Sequence, residues 1–252
     1  MGQVPSNFDY LVIGGGRLAK HLSFYLKYCG HRILSWQRSH QTEKQLKNAL
    51  RSAPVVLLAI KDNEIQNFFS EHQKPEQTWV HFSGAHHFEG LLGFHPLMTF
   101  SHQLYQPHYY NSISFVGCEA PEKFRELFPN WKNPYHQISL QNKALYHSLC
   151  VLTGNGTTVL WELAALEFEK IGIDPSALNP YLCQVAENLI SNSEGRLTGP
   201  WFRDDFITVT KNTHALEGHD LLSIYNDLQK LALKVKPSEE LKPREDFNDA
   251  EL

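Results

Sequence analysis

An apolar run, Tyr10-Leu11-Val12-Ile13, passes directly into Gly14-Gly15-Gly16-Arg17-Leu18-Ala19, and from Arg17 to Tyr28 the apolar residues Leu18, Leu22, Tyr25 and Leu26 recur at helical spacing. A strand that ends in glycines and hands over to a helix constrains the chain strongly, because it matches the G-x-G-x-x-G/A pattern in the context that gives the pattern meaning. Gly14 permits the tight turn. Gly16 leaves no Cβ between the backbone and an approaching pyrophosphate, and Ala19 lets the helix pack close to the strand. The free N–H groups and the positive dipole end of the helix then favour an anion there. Gly14, Gly15, Gly16, Arg17 and Leu18 are therefore candidate dinucleotide-binding residues.

The runs that follow fit this start. Arg32–Trp36, Val55–Ile60 and Thr78–Phe82 read as strands, with Ser112–Val116 and Tyr135–Ile138 as weaker ones, and Glu43–Leu50, Glu64–Glu71 and Glu122–Phe128 as helices between them. Short apolar runs alternating with amphipathic helices predict a doubly wound, mostly parallel α/β sheet of the Rossmann-like kind. After Ser139 the strand signals stop. Asn142–Ile171, interrupted at Gly154-Asn155-Gly156, then Pro175–Asn192, Asp205–Leu216 and Asp220–Val235 predict an all-helical C-terminal domain. The expected division is residues 1–139 for the dinucleotide domain, 140–235 for a helical substrate or dimerisation domain, and 236–252 for a flexible acidic tail.

The end of the second strand bears on the choice of cofactor. An NAD-binding chain carries an acidic residue there for the ribose 2′-hydroxyl. This chain has Trp36-Gln37-Arg38-Ser39-His40 and no acid. Arg38 can pair with a 2′-phosphate and Ser39 can donate to it, which favours NADP(H). Trp36 is equally suited to flank an adenine or to fill the core. The ends of the third and fourth strands form the next contact zone of an open α/β sheet. Ile60 and Ser83 are candidates there, and Asp62 serves equally well as a helix cap.

Charge and composition exclude other classes. The net charge is −4, with 23 basic and 27 acidic side chains, so phosphate neutralisation does not drive binding to nucleic acid. That total is uneven: residues 1–117 carry 10 basic and 7 acidic side chains, 118–235 carry 10 and 14, and 236–252 carry 3 and 6. Cys29, Cys118, Cys150 and Cys183 form no C-x-x-C pair and read as buried thiols in a reducing compartment. No secretory signal is expected at residues 1–7 and no membrane span in the chain, so the expected location is the cytoplasm. Six of the 14 histidines fall between His81 and His108, but without a metal-ligand spacing, so no metal is expected. His95, held extended before Pro96, is the member best suited to line a cleft.

In the helical part Lys143 and His147 stand at i and i+4, on one face of a helix, and Asn155 lies two turns on. Together with the glycine loop, His81-Phe82-Ser83-Gly84, His95-Pro96 with Thr99-Phe100, Tyr146, and Leu197-Thr198-Gly199-Pro200 followed by Arg203 and Asp205, these residues carry a family resemblance. The chain resembles an uncharacterised family in which a Rossmann-like NADP-binding domain precedes a helical domain of unknown function. That family lies within the 6-phosphogluconate dehydrogenase-like reductases, alongside ketopantoate reductase and pyrroline-5-carboxylate reductase. The resemblance extends over about residues 8–235. It departs from the family pattern at Asp204, where the pattern has glycine, and at Gly154, where a serine usually precedes the asparagine.

The resemblance implies a homodimer formed through the helical domain, with a cleft for a small-molecule substrate. The expected activity is NADP(H)-dependent transfer of hydride to or from a small carbonyl or imine. Lys143 or His147 would supply the proton, and Asn155 would hold the polarised atom. His95, Thr198, Arg203 and Asp205 are the expected substrate-binding residues. The alternative is a nonenzymatic NADPH-binding redox sensor or partner-binding protein, which would use the same glycine loop.

Overall fold

The computed structural model describes residues 8–191 and 198–235. The tail at 236–252, the first seven residues, Asn192 and Leu197 lie outside the described residues. By Cα proximity the chain forms two compact units, Met1–Leu163 and Ala164–Leu252.

The first unit is built on a seven-stranded sheet. β1 (Tyr10–Ile13), β2 (Ile33–Trp36), β3 (Val55–Leu58), β4 (Thr78–His81), β5 (Leu92–Pro96), β6 (Phe115–Gly117) and β7 (Tyr135–Gln137) lie in the order β2-β1-β3-β4-β5-β6-β7. Every neighbouring pair is parallel except β5–β6. The helices are α1 (Arg17–Tyr28), α2 (Glu43–Ala49), α3 (Asp62–His72) and α4 (Pro121–Leu127). Two apolar clusters cover the two faces. One joins Leu22, Tyr25 and Leu26 of α1 to Val12, Phe94, Phe115 and Phe124; the other joins Leu46 of α2 and Ile65 and Phe69 of α3 to Leu11, Ile13, Val56 and Trp79. Burial on both sides explains why the central strands are continuous runs of Val, Leu and Ile.

The structure adds a strand to the sequence reading. Leu92–Pro96 is β5, not a loop after the fourth strand, and the following strand begins at Phe115 instead of Ser112. A glycine and a terminal proline hide β5, yet Gly93 is required by packing: a Cβ there would stand 2.6 Å from Nε2 of His81.

α5 (Lys143–Cys150) and α6 (Thr157–Lys170) are joined by a π-helical turn, Val151–Gly156. The expected interruption at Gly154-Asn155-Gly156 is thus a widening of one helix and not a break. The hydroxyls of Thr153, Thr157 and Thr158 donate to the carbonyls of Leu149, Thr153 and Gly154, which satisfies acceptors around the wide turn. The helical run Leu140–Lys170 is 31 residues long and, by length and composition only, apolar enough to cross a membrane. The unit division falls inside α6, later than the point where the strand signals end.

The second unit contains the end of α6, then α7 (Leu178–Ile190), α8 (Phe206–Ala215) and α9 (Leu221–Val235). His219 pairs with Glu167 at 3.0 Å, and Trp201 meets Tyr225 edge to face. Asp204 adopts a φ of 56°, the left-handed region that favours glycine. Few apolar side chains are buried within this unit; Ile207 is 85% exposed, and Ile190 and Phe206 are also open to solvent. The cysteines are less buried than expected: Cys183 is exposed and the other three are half-buried.

Candidate functional site

A cleft of about 1150 Å³ runs along the C-terminal ends of the parallel strands, from the loop after β2 to β5. It lies wholly within the first unit. The glycine loop forms its floor. Gly14 has a φ of 137°, and a Cβ on it would stand 2.3 Å from the carbonyl oxygen of Ala59. Gly16 is the N-cap of α1, and a Cβ on it would meet no atom within 4 Å, so the space in front of the helix N-terminus is open. The first turn of α1 contains no acidic residue to occupy its N–H groups. This cradle fits a pyrophosphate held by backbone donors.

Arg17, Leu18, Arg38, Ser39 and Ile60 also stand on the cleft wall. Arg38 is exposed and pairs with Glu64 of α3 at 3.4 Å, a partner that linear spacing does not reveal. Trp36 is buried against Phe68 and also borders the cleft. Ser83 is buried, off the wall. Its hydroxyl donates to Asp62 Oδ2 at 2.6 Å and accepts from the His86 N–H at 3.1 Å, tying the β4 loop to the start of α3.

Beyond β4, the wall includes His95, His147 and Asn155. His95 Nδ1 lies 2.7 Å from the Tyr146 hydroxyl, and the His95 and His147 rings meet edge to face at 5.7 Å. Gly84 closes the group from below. A Cβ there would stand 2.3 Å from His147 Cδ2 and 3.0 Å from His95 Nε2. Asn155 sits on the π-helical turn, which carries Val151, Thr153 and Gly154 to the same wall. Met98, Phe100 and Cys150 complete an apolar stretch of the wall; of these the sequence reading left Met98 unnamed.

Lys143 is placed differently. It is 3% exposed and is absent from the cleft wall. Burial lowers its pKa, opposed by Cys118, Glu119 and Asp62. Glu119 is itself held by the N–H groups of Gly93 and Cys118, both at 3.0 Å. His95 is pushed down to about 4, first by burial and then by His147 and Lys143. His81 is fully buried and is pushed down to about 3 by burial, with Lys143, His87 and His86 adding to the effect.

These neutral histidines link stability to pH. An unfolded histidine takes its proton near 6.5, whereas the folded chain leaves His81 and His95 neutral until about 3 and about 4. Their contribution is therefore full above pH 6.5 and is lost as pH falls towards those lower values. In urea titrations at stepped pH, His81→Gln should flatten the fall in unfolding free energy between pH 6.5 and 4. An unchanged slope would show that His81 does not stay neutral in the folded chain.

In the second unit, Asp205 caps α8 by accepting from the Thr208 N–H at 3.0 Å. Arg203 exerts a favourable charge effect on Asp205, and Thr198 is exposed. Among the described residues, no three His, Cys, Asp or Glu side chains come together as metal ligands.

The fold is shared with several solved structures, each at 22% identity or less. A Thermotoga maritima protein superposes with a TM-score of 0.70 at 22% identity, over 92% of this chain and all of its own. A Bacteroides fragilis protein provisionally described as an NADP oxidoreductase gives 0.70 at 20% identity, over 90% of this chain and 98% of its own. A reductive aminase from Aspergillus terreus, solved with NADPH and ethyl levulinate, gives 0.56 at 14% identity, over 91% and 93%. Residues 117–232 match a family model described as a domain of unknown function, DUF2520. No curated protein matches the sequence significantly.

Proposed function

We propose that the chain is an NADP(H)-dependent oxidoreductase acting on a small carbonyl or imine. The observation that carries this reading is the continuity of one cleft from the open Gly16 cradle to the His95–His147–Asn155 group. The fold likeness to NADPH-linked enzymes supports it. The backbone N–H groups after Gly16 would hold the pyrophosphate, and Arg38 and Ser39 a 2′-phosphate. When bound, the nicotinamide supplies the hydride. His147 is the group best situated to donate a proton, and the Asn155 amide to hold the reacting oxygen or nitrogen. The burial of Lys143 argues for an indirect role there. Thr198, Arg203 and Asp205 belong to the second unit, where Asp205 caps α8.

The test is NADPH oxidation by purified protein over a panel of ketones and cyclic imines. Tight NADPH binding without turnover would favour the nonenzymatic sensor instead. Cofactor choice is tested separately. Arg38→Asp should weaken NADPH by about tenfold or more, the scale of a charged hydrogen bond, and NADH much less. Equal losses would show that Arg38 does not read the 2′-phosphate.

We also propose a cytoplasmic homodimer formed through the helical region. The support is the large apolar exposure along α5 to α9, at Leu152, Leu166, Ile190, Phe206 and Ile207 among others. A second copy would cover surface that lipid would otherwise suit. Light scattering of detergent-free protein should give twice the 29.0 kDa chain mass, and Ile207→Asp should shift it towards monomer. Recovery only in detergent would overturn this reading.

A further inference from the structure

We infer that His95 is the group that polarises the substrate, that Tyr146 positions it as a neutral Nε2–H donor, and that Lys143 acts through it without touching substrate. This rests on the oxidoreductase reading and assigns the chemistry within it. The Nδ1 edge of His95 is taken by the Tyr146 hydroxyl at 2.7 Å. A phenol is a much stronger acid than a neutral imidazole N–H, and an imidazole nitrogen is a better acceptor than a phenol oxygen. The favoured arrangement is therefore Tyr146 O–H donating to Nδ1, which leaves the ring proton on Nε2.

That second edge has no hydrogen-bond partner among the described residues, and His95 stands on the cleft wall. It lies against Gly84, whose missing side chain leaves room for the His95 and His147 rings to pack there. Tyr146 and His147 of α5 face the ring, and the charge of Lys143, on the same helix, also acts on it. Two of these carry or can carry positive charge, and together with burial they oppose a second proton on His95. A neutral N–H donor stabilises the negative charge that develops on a carbonyl oxygen or imine nitrogen during reduction. His95 gives up no proton in this role; the proton that the oxygen or nitrogen retains comes from His147.

Lys143 stands one helical turn before His147 on α5. It is buried beside Cys118, Glu119 and Asp62 and is off the wall, so its influence on the reaction passes through the charge state of His95. This separates two roles that the i, i+4 pair Lys143 and His147 leaves open in the sequence.

The experiment is nitrogen-15 NMR of the histidine rings in the full chain, with His95→Gln identifying the His95 signals. The expected result is the neutral Nε2–H tautomer at pH 7, with and without NADPH. In Tyr146→Phe the tautomer preference should be lost, and in Lys143→Met the ring should titrate at higher pH. A charged ring, a neutral Nδ1–H tautomer, or no change in Tyr146→Phe would overturn the assignment. Kinetics with 2-methyl-1-pyrroline and cyclohexanone, where turnover occurs, should show Tyr146→Phe lowering kcat with the NADPH Kd unchanged. Failure of the chain to bind NADPH would sink the oxidoreductase reading, whereas the NMR result decides the state of His95 by itself.

Discussion

Gly16→Ala should remove most NADPH binding while leaving the folded chain as stable as before, and Gly14→Ala should damage both. The contrast follows from what surrounds each position. Gly16 has a φ of −74°, which alanine adopts readily, and its added Cβ would meet nothing within 4 Å. That methyl would stand in the cradle and keep a pyrophosphate from the helix N-terminus, so affinity should fall by about a hundredfold, the loss of two charged hydrogen bonds. Gly14 has a φ of 137°, and its Cβ would be driven to 2.3 Å from a backbone oxygen of Ala59. Ala59 cannot yield cheaply, because its own N–H donates to the Ile13 carbonyl at 2.9 Å. Backbone strain and overpacking each cost about 1–3 kcal/mol, so a loss on the order of 3 kcal/mol is expected. Thermal unfolding and fluorescence titration with NADPH measure the two quantities. Full NADPH affinity in Gly16→Ala would remove the glycine loop from the cofactor site.

Gly84→Ala should lower kcat by about a hundredfold with little change in NADPH affinity, because a displacement near 1 Å at a reacting group has that scale of effect. Its Cβ would overlap His147 and press on His95. Both contacts are with side-chain rings, which can turn aside, so the fold should persist. The His95–Tyr146 bond of 2.7 Å and the His95–His147 contact are what the substitution would disturb. Steady-state kinetics on a ketone or cyclic imine, beside an NADPH titration, reads the two effects apart. Unchanged turnover would show that neither histidine takes part in the chemistry.

The glycine loop and the first four strands could be read from the sequence because their signals are local. A strand buried on both faces is a short run of Val, Ile and Leu, and a tight turn under a helix demands glycine within a few residues. β5 escaped because its Gly93 answers to His81 on the neighbouring strand and its Pro96 ends the strand against antiparallel β6. Neither reason lies within the segment itself. Arg38 was visible as a residue with no acid near it in sequence, yet Glu64 meets it from α3. The wide turn at Val151–Gly156 was visible only as glycines in a helix, since the backbone pattern depends on which carbonyls the threonines satisfy.

By itself, the sequence determined the strand–glycine–helix opening, the passage from alternating elements to helices, and the residue types available for chemistry. Those properties depend on neighbours three or four positions apart. The tertiary structure decided which candidates share a wall. It set His95, His147 and Asn155 on one cleft, withdrew Ser83 into a bond with Asp62, and buried Lys143 among groups from several different elements. Burial and charge at such a site are sums over residues far apart in the chain, and only the folded packing brings those residues together.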